Sequence, residues 1–347
     1  MKIRFRKARL STTGLKRLNI INDIILEYQK QGYVLTLRQL YYQLVTRDVI
    51  PNIQSEYAKL SILLKEGRMG GMVDWDAIED RLRKPSSPPS WDSPKDIMVA
   101  VTNQYELPRQ KGQNTYLEVW VEKDALSGVL KRVTEKYHVP ILVNRGYSSA
   151  SAMFDSYKRF KRSIDIKKRC IVLYLGDYDP SGIDMIRDIR SRIQEFFAGD
   201  SGFQFMIQDT LEEEDEKMEA FAWLADQDNA PDEEDVADYD VDEYVNLFIP
   251  YYFDKYFKIV PIALTMQQIK KYKPPPNPAK TTDPRAKDFI ALHGSTSWEV
   301  DALRPDVLSK LLEEAIISNI DQEMFLKMVR RENTDKKKLK SLLKYLK

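Results

Sequence analysis

The stretch VLYLGDYDPSG, residues 172–182, leads from an apolar run through two aspartates into a proline, a serine and a glycine. Every position of CIVLYL, residues 170–175, is apolar or aromatic, which is typical of a central strand of a parallel sheet that is covered on both faces. Pro180 suits the first position of a helix. The stretch therefore predicts a buried strand that turns at once into a helix, with Asp177 and Asp179 at the turn.

The sequence around this stretch alternates between strand and helix patterns. Three segments typical of strands are each followed by a segment with helical periodicity: 116–122 by 124–137, 139–147 by 148–164, and 170–177 by 180–198. This order predicts an α/β fold with a doubly wound parallel sheet. Ligands bind such sheets at the carboxyl ends of the strands. Glu122, Asp177 and Asp179 are therefore expected on one edge of the sheet.

Carboxylates that meet in a small volume raise one another's pKa unless a cation lies among them. Mg²⁺, for which Mn²⁺ is an expected substitute, takes hard oxygen ligands and is often completed by phosphate oxygens. Glu122, Asp177 and Asp179 are thus a candidate metal site. Aspartates near helix starts also act as caps. We assign that role to Asp124, and a place on an exposed helix face to Asp184.

Three short helical segments precede the sheet, at residues 15–30, 37–47 and 55–68, and they predict a helix-turn-helix domain of winged-helix, CAP-like type over residues 1–85. Proline and serine then mark a linker at 86–114. In the second helix the apolar stripe includes Tyr41, whereas Tyr42 is expected to be exposed beside Arg38. A cation beside a tyrosine favours phenolate and attracts phosphate, which makes Tyr42 a candidate nucleophile. A surface tyrosine without chemistry is the alternative.

The formal charge of +1 conceals two opposite regions. Residues 209–243 hold 17 acidic side chains and one lysine, so the rest of the chain carries a formal charge of +17. A basic body of this size favours a polyanionic partner, although charged runs are often solvated faces. One cysteine and two histidines provide neither a disulfide nor a zinc set. The chain has no apolar run long enough for a membrane span and no signal peptide pattern, so a cytoplasmic, nucleoid-associated protein is expected.

The motifs VEKDAL, residues 121–126, and LGDYDPSG, residues 175–182, resemble the Toprim domain of topoisomerases, primases and related nucleases. That family has a glutamate at the end of its first strand and D-x-D at the end of a later one. The resemblance implies general acid and base work for Glu122 and Mg²⁺ ligation by Asp177 and Asp179. Ser181 stands where many members have a third aspartate, and D-x-D-P-x-G points to the type IIB branch.

The segment TLRQLYY, residues 36–42, is similar to T-K-R-[DE]-I-Y-Y of the topoisomerase VI A subunit and of the related meiotic double-strand-break transesterase. Leu37 replaces a basic residue of that pattern, and Gln39 an acidic one. The resemblance implies that Tyr42 is the nucleophile, with Arg38 beside it. It further implies a Toprim domain, placed at 115–320, and a homodimer in which the tyrosine of one protomer meets the Toprim site of the other. The acidic segment at about 209–243 is an insertion unlike that family, and the composition of residues 321–347 predicts a basic C-terminal helix.

The expected activity is metal-dependent cleavage of double-stranded DNA through a 5′-phosphotyrosyl intermediate, with Lys123 and Arg38 neutralising phosphate. Lys280, Arg285 and Lys287, in a proline-rich loop, are candidate DNA contacts. Because the sequence has no G-x-x-x-x-G-K-[ST] motif, a topoisomerase would need a separate ATPase subunit.

Two other functions remain open: a Toprim nuclease that hydrolyses DNA with metal-activated water, and a DNA-binding module without catalysis. Beyond residue 190 the segments PIALT, residues 261–265, and WEVDAL, residues 298–303, indicate that the same fold continues. Residues 245–265 are rich in β-formers and indicate strand structure.

Overall fold

The computed structural model describes residues 1–79, 88–144, 146, 148–227, 239–279 and 283–343. Within these residues the centre of the fold is a parallel sheet of four strands in the order β2-β1-β3-β4. The strands are β1 (Thr115–Val121), β2 (Ile141–Val143), β3 (Arg169–Leu175) and β4 (Phe257–Ala263). The prediction of a mixed α/β fold with a parallel sheet is confirmed.

Both faces of β3 are buried, which explains its continuous apolar composition. Val172 and Tyr174 lie in one apolar cluster, and Leu173 and Leu175 lie in a second cluster on the opposite face. β1 pairs with β2 on one side and with β3 on the other. The strand order therefore reverses between β1 and β3, and a crevice for ligands is expected at the carboxyl ends of these two strands.

The first three helices of the described chain are α1 (Thr12–Lys30), α2 (Leu37–Thr46) and α3 (Gln54–Met69). Thr36 caps α2 and forms a capping box with Gln39. The three helices share an apolar cluster of their own, and Ala302, from far along the chain, also belongs to it. Within residues 1–79, β pairing is limited to two isolated bridges, Arg4 with Gly70 and Leu35 with Ile78.

The remaining helices cover and extend the sheet. They are α4 (Pro94–Gln104), α5 (Asp124–Tyr137), α6 (Ala150–Ile164), α7 (Pro180–Ala198), α8 (Ser201–Thr210), α9 (Glu214–Ala225), α10 (Val241–Tyr256), α11 (Met266–Tyr272), α12 (Ala286–His293), α13 (Pro305–Ile317) and α14 (Gln322–Leu342). A two-stranded antiparallel sheet joins β5 (Asn277–Pro278) to β6 (Thr296–Ser297). None of the helices in the described ranges has the length and apolar character that crossing a bilayer requires.

Three segments differ from the sequence predictions. The predicted linker 86–114 contains α4. The segment 245–265 is β structure only from Phe257 onward, because its apolar residues at 245, 248, 249, 252, 253 and 256 have the spacing of a helix face and form α10. The acidic segment 209–243 is partly helical: Ala220 and Leu224 of α9 are buried in the core, whereas residues 228–238 lie outside the described residues.

The chain before β1 is attached to α14 by a buried carboxylate. Glu332 accepts hydrogen bonds from the backbone N–H of Leu107 at 3.0 Å, from the Arg109 guanidinium at 2.8 Å and from Lys336 at 3.0 Å. Burial alone would raise the pKa of Glu332, but these donors outweigh it and lower the pKa to about 2. Glu332 therefore stabilises the fold as a carboxylate.

Candidate active site

Glu122 and Asp177 meet at the carboxyl ends of β1 and β3. The N–H of Glu122 donates to the carbonyl of Leu175 at 2.9 Å, which extends the pairing of the two strands by one residue. The carboxylate of Glu122 in turn accepts the N–H of Asp177 at 3.0 Å. Two acids that are 55 positions apart in the chain are thus neighbours at the point where the strand order reverses.

Asp179 serves as the N-cap of α7. Its carboxylate accepts the N–H of Gly182 at 2.6 Å, and Pro180 occupies the first helical position as predicted. A Cβ atom on Gly182 would lie 2.2 Å from the carbonyl oxygen of Asp177, so this tight turn requires glycine. Capping accounts for one oxygen of Asp179. Asp124, predicted to be a cap, is instead the first residue of α5, after an N-cap at Lys123.

The three predicted acids act on one another electrostatically. The pKa of Tyr174, a buried residue of β3, is raised by burial and then by the charges of Glu122, Asp177 and Asp179. Burial also raises the pKa of Asp177 to about 7 and the pKa of Glu122, and in both cases neighbouring carboxylates add to the effect. In the described part of the chain, however, no group of three or more His, Cys, Asp or Glu residues is arranged to hold a metal ion.

Lys123 is the cation at this edge of the sheet. Its ammonium contacts Asp177 at 2.8 Å, Glu299 at 2.9 Å and Asp301 at 3.0 Å. Burial would lower the pKa of Lys123, but the three carboxylates outweigh burial and raise it. Lys123, predicted as a phosphate ligand, is therefore a charged counter-ion of three acids in this structure.

Glu299 and Asp301 were not predicted as site residues. They flank Val300 at a short 3₁₀ turn (Val300–Ala302), whose Val300 N–H donates to Asp177 at 2.8 Å. Backbone hydrogen bonds of 2.8 and 3.0 Å between Tyr178 and Trp298 hold the same segment against the turn after β3. The signal in the sequence was the acid-x-acid pattern of WEVDAL, which repeats the spacing of the D-x-D motif.

Tyr42 is not exposed, contrary to the prediction: Tyr41 and Tyr42 are each only 5% exposed. The reason is that the segment containing Glu299 and Asp301 covers this side of α2. The hydroxyl of Tyr42 donates a hydrogen bond to Glu299 Oε2 at 2.7 Å. Arg38 lies beside Tyr42 as predicted, with its guanidinium 5.6 Å from the ring centroid.

The charges around Tyr42 keep it a phenol. Burial raises the pKa of Tyr42, and the hydrogen bond to Glu299 and the charge of Asp301 raise it further, against the opposing effect of Arg38. Arg38 contacts both Glu299 and Asp301. Burial alone would raise the pKa of Glu299, but Lys123, the Tyr42 hydroxyl and Arg38 together lower it to about 2. Glu299 is therefore ionised at neutral pH.

A cavity of about 380 Å³ opens beside the tyrosine. It is lined by Arg38, Tyr41, Tyr42, Asn52, Ile53, Gln54, Tyr57, Asn277 and Glu299. The hydroxyl of Tyr41 is held away from the acids, because it donates to Asn52 at 3.0 Å. Four acids, Glu122, Asp177, Glu299 and Asp301, form an acidic cluster at this edge of the sheet. Of the two adjacent tyrosines, it is Tyr42 that contacts this cluster, through Glu299.

The proline-rich loop has a different surrounding. Arg285 pairs with Asp184 at 3.1 Å and with Asp283 at 2.7 Å. Asp184 is therefore only partly exposed, at 18% of its side chain, and does not lie on an open helix face. Lys287 is exposed, and Lys280 lies outside the described residues. The two acids that pair with Arg285 are not members of the acidic cluster at the sheet edge.

Comparison with known proteins adds no relative. No protein-family model, curated protein or solved structure matches the chain. The residues of the site and the motifs at 36–42, 121–126 and 175–182 are therefore the features that indicate its function.

Proposed function

We propose that the protein cleaves double-stranded DNA by metal-dependent transesterification, with Tyr42 as the nucleophile. One observation carries this proposal. The Tyr42 hydroxyl, Glu299, Lys123 and Asp177 form a continuous series of contacts of 2.7, 2.9 and 2.8 Å, which joins α2 to the carboxyl edge of the sheet. A phenol, two cations and several carboxylates from distant parts of the chain thereby share one site, and these are the groups that phosphoryl transfer to a tyrosine requires.

In this proposal residues 1–85 are a winged-helix domain, and residues 115–320 are a Toprim domain of the type IIB class. The motif order of the sequence and the parallel sheet support this interpretation. Tyr42 meets the acids of its own chain, so the proposal places one site in each protomer, whereas the resemblance implies a tyrosine that meets the site of the other protomer. Cleavage of both strands requires two sites, so a homodimer is part of the proposal. Cleavage alone would need no ATP, whereas strand passage would need a separate ATPase subunit.

Glu122, Asp177 and Asp179 would hold Mg²⁺ or Mn²⁺ after their side chains turn toward a common ion, because in the described residues they are not grouped around one. The donor set fits a hard cation, because it consists of carboxylate oxygens. The pKa of Glu122 and the pKa of Asp177 are raised by burial and by neighbouring carboxylates, and a bound cation would relieve both effects. When bound, the ion would stabilise charge on the phosphate and on the leaving oxygen.

The residues of the chain itself would bind and orient the DNA phosphate. Arg38 and Lys123 are the nearest cations to Tyr42 in this network, and a phosphate entering the cavity would compete with Glu299 and Asp301 for them. Tyr42 would then attack phosphorus, which leaves a 5′-phosphotyrosyl link and a 3′-hydroxyl.

The burial of Tyr42 favours a second candidate, a Toprim nuclease in which the tyrosine is structural. A DNA-binding module without catalysis is the third. The three candidates differ in what they leave on DNA.

The deciding experiment incubates supercoiled plasmid with the protein and Mg²⁺ or Mn²⁺, stops the reaction with detergent, and compares DNA with and without protease treatment. Wild type is expected to yield cut DNA that carries protein, and Tyr42→Phe none. Tyr41→Phe is the matched control and should cleave, because the Tyr41 hydroxyl contacts Asn52 rather than the acids.

Cut DNA without attached protein, equal for wild type and Tyr42→Phe, would identify the nuclease instead. Salt-dependent DNA binding without any cleavage, unaffected by Glu122→Gln, would identify the binding module.

A further inference from the structure

We infer that Glu299 is a further catalytic residue of the proposed reaction: it accepts the proton of the Tyr42 hydroxyl as Tyr42 attacks phosphorus. This inference rests on the proposed function. The hydroxyl of Tyr42 already donates to Glu299 Oε2 at 2.7 Å, which is the distance that direct proton transfer needs. Glu299 also lines the cavity beside Tyr42, where a phosphate would enter.

The step balances without a further reactant. The O–H bond of Tyr42 breaks and its proton passes to Glu299. The phenolic oxygen forms a bond to phosphorus, and the bond from phosphorus to the 3′ oxygen breaks. The 3′ oxygen leaves with the electron pair of that bond and takes a proton from water.

The other acids of the cluster have different partners. The carboxylate of Glu122 accepts the N–H of Asp177. The carboxylate of Asp177 accepts the N–H of Val300 and pairs with the ammonium of Lys123. Asp301 is fully buried and contacts Lys123 and Arg38. Glu299 is the carboxylate whose oxygen meets the hydroxyl of Tyr42, so the geometry selects it from the cluster.

The charges around Glu299 link proton transfer to the arrival of DNA. Lys123 and Arg38 hold the pKa of Glu299 low, which keeps it ionised but makes it a weak base. A phosphodiester in the cavity attracts the same two cations. As they turn toward the phosphate, the proton affinity of Glu299 rises. Tyr42 is then activated when substrate is present and stays protonated when it is absent.

The test is Glu299→Gln, which keeps an oxygen that can accept the Tyr42 hydrogen bond but cannot take up the proton. The expected result is that the detergent-trapped DNA adduct forms at least about 100-fold more slowly in a single turnover. A factor of about 100 is the lower end of what a general base contributes to a rate. DNA affinity should equal or exceed that of wild type, because the neutral side chain no longer competes with the phosphate for Lys123 and Arg38.

Glu313→Gln is the matched control, because Glu313 also accepts a tyrosine hydroxyl, from Tyr137 at 2.9 Å, and a lysine, Lys136 at 2.6 Å, away from the site. Its adduct rate is expected to equal that of wild type.

An adduct rate for Glu299→Gln within threefold of wild type overturns the inference, and so does a faster rate, which would make the contact a restraint on Tyr42. If wild type itself forms no tyrosine adduct, the proposed function fails and the inference fails with it. Should Glu299→Gln unfold at the assay temperature, Glu299→Asp is compared with Glu299→Asn, two side chains of equal size. The aspartate variant should be at least tenfold faster, and equal rates overturn the inference.

Discussion

Lys123→Met tests whether the Lys123 ammonium stabilises the buried carboxylates of the site. The substitution keeps a long unbranched side chain and removes the charge. In wild type the ammonium lies within 3.0 Å of Asp177, Glu299 and Asp301, and only 17% of its side chain is exposed. The variant would leave the carboxylates with Arg38 as their remaining close cation in the network.

The expected loss follows from the burial of these charges. Removing one partner of a buried ion pair costs about 3–5 kcal/mol, because the remaining charge stays buried without compensation. Asp301 has no exposed surface and Asp177 has only 8% of its side chain exposed, so solvent cannot replace the ammonium. We expect Lys123→Met to lower the free energy of unfolding by about 3–5 kcal/mol.

The measurement is urea unfolding followed by tryptophan fluorescence, with Lys136→Met as the control. Lys136 is on α5, the helix that follows Lys123, and forms an ion pair of similar length, 2.6 Å with Glu313, but 58% of its side chain is exposed. Loss of such a surface pair costs about 1 kcal/mol or less. Equal losses for the two variants would refute the buried-charge account of Lys123.

Three further predictions concern the turn, acid stability and the arginine. Gly182→Ala should lower the free energy of unfolding, followed by thermal melts, by about 1–3 kcal/mol, because its Cβ would lie 2.2 Å from a carbonyl oxygen. Gly199→Ala is the control and should change it by no more than about 0.5 kcal/mol, because its Cβ would meet nothing nearer than 3.8 Å. Equal melting temperatures for the two variants would contradict this. Glu332 has a folded pKa of about 2 against an ordinary 4.5, so its contribution to stability is present above pH 4.5 and is lost as the pH falls toward 2. Glu332→Gln should therefore show a smaller loss of urea stability between pH 6 and pH 3 than wild type, and an unchanged loss would contradict the assignment. Arg38→Lys keeps the charge but loses the fork that contacts two carboxylates, so the adduct yield in the plasmid assay should fall about tenfold; an undiminished yield would exclude a role for the guanidinium geometry.

The central strands of the fold could be predicted from sequence because their signals are local. A continuous apolar run such as residues 170–175 has few interpretations, and Pro180 marks the helix start. The helix α10 differs from the prediction because its residues combine a β-forming composition with helical spacing, and the spacing decides the structure. The helix α4 differs because the proline and serine next to it are typical of a linker.

The site was predictable where the topology of a parallel sheet decides it. Glu122 and Asp177 meet because strand ends that flank a switch point must be neighbours. Glu299 could not be placed in the same way, because its position depends on how a short turn of the later chain packs against α2 and the turn after β3. The same packing buries Tyr42, whose exposure had been predicted from the periodicity of α2 alone.

The most direct test of the central claim is to locate the covalent link to DNA. After cleavage, nuclease digestion and trypsin, the peptide QLYYQLVTR, residues 39–47, contains both candidate tyrosines and is sequenced by tandem mass spectrometry. The proposed mechanism predicts a 5′-phosphonucleotide on Tyr42 and none on Tyr41. A nucleotide on Tyr41, or unmodified peptide from DNA that has been cut, would contradict it.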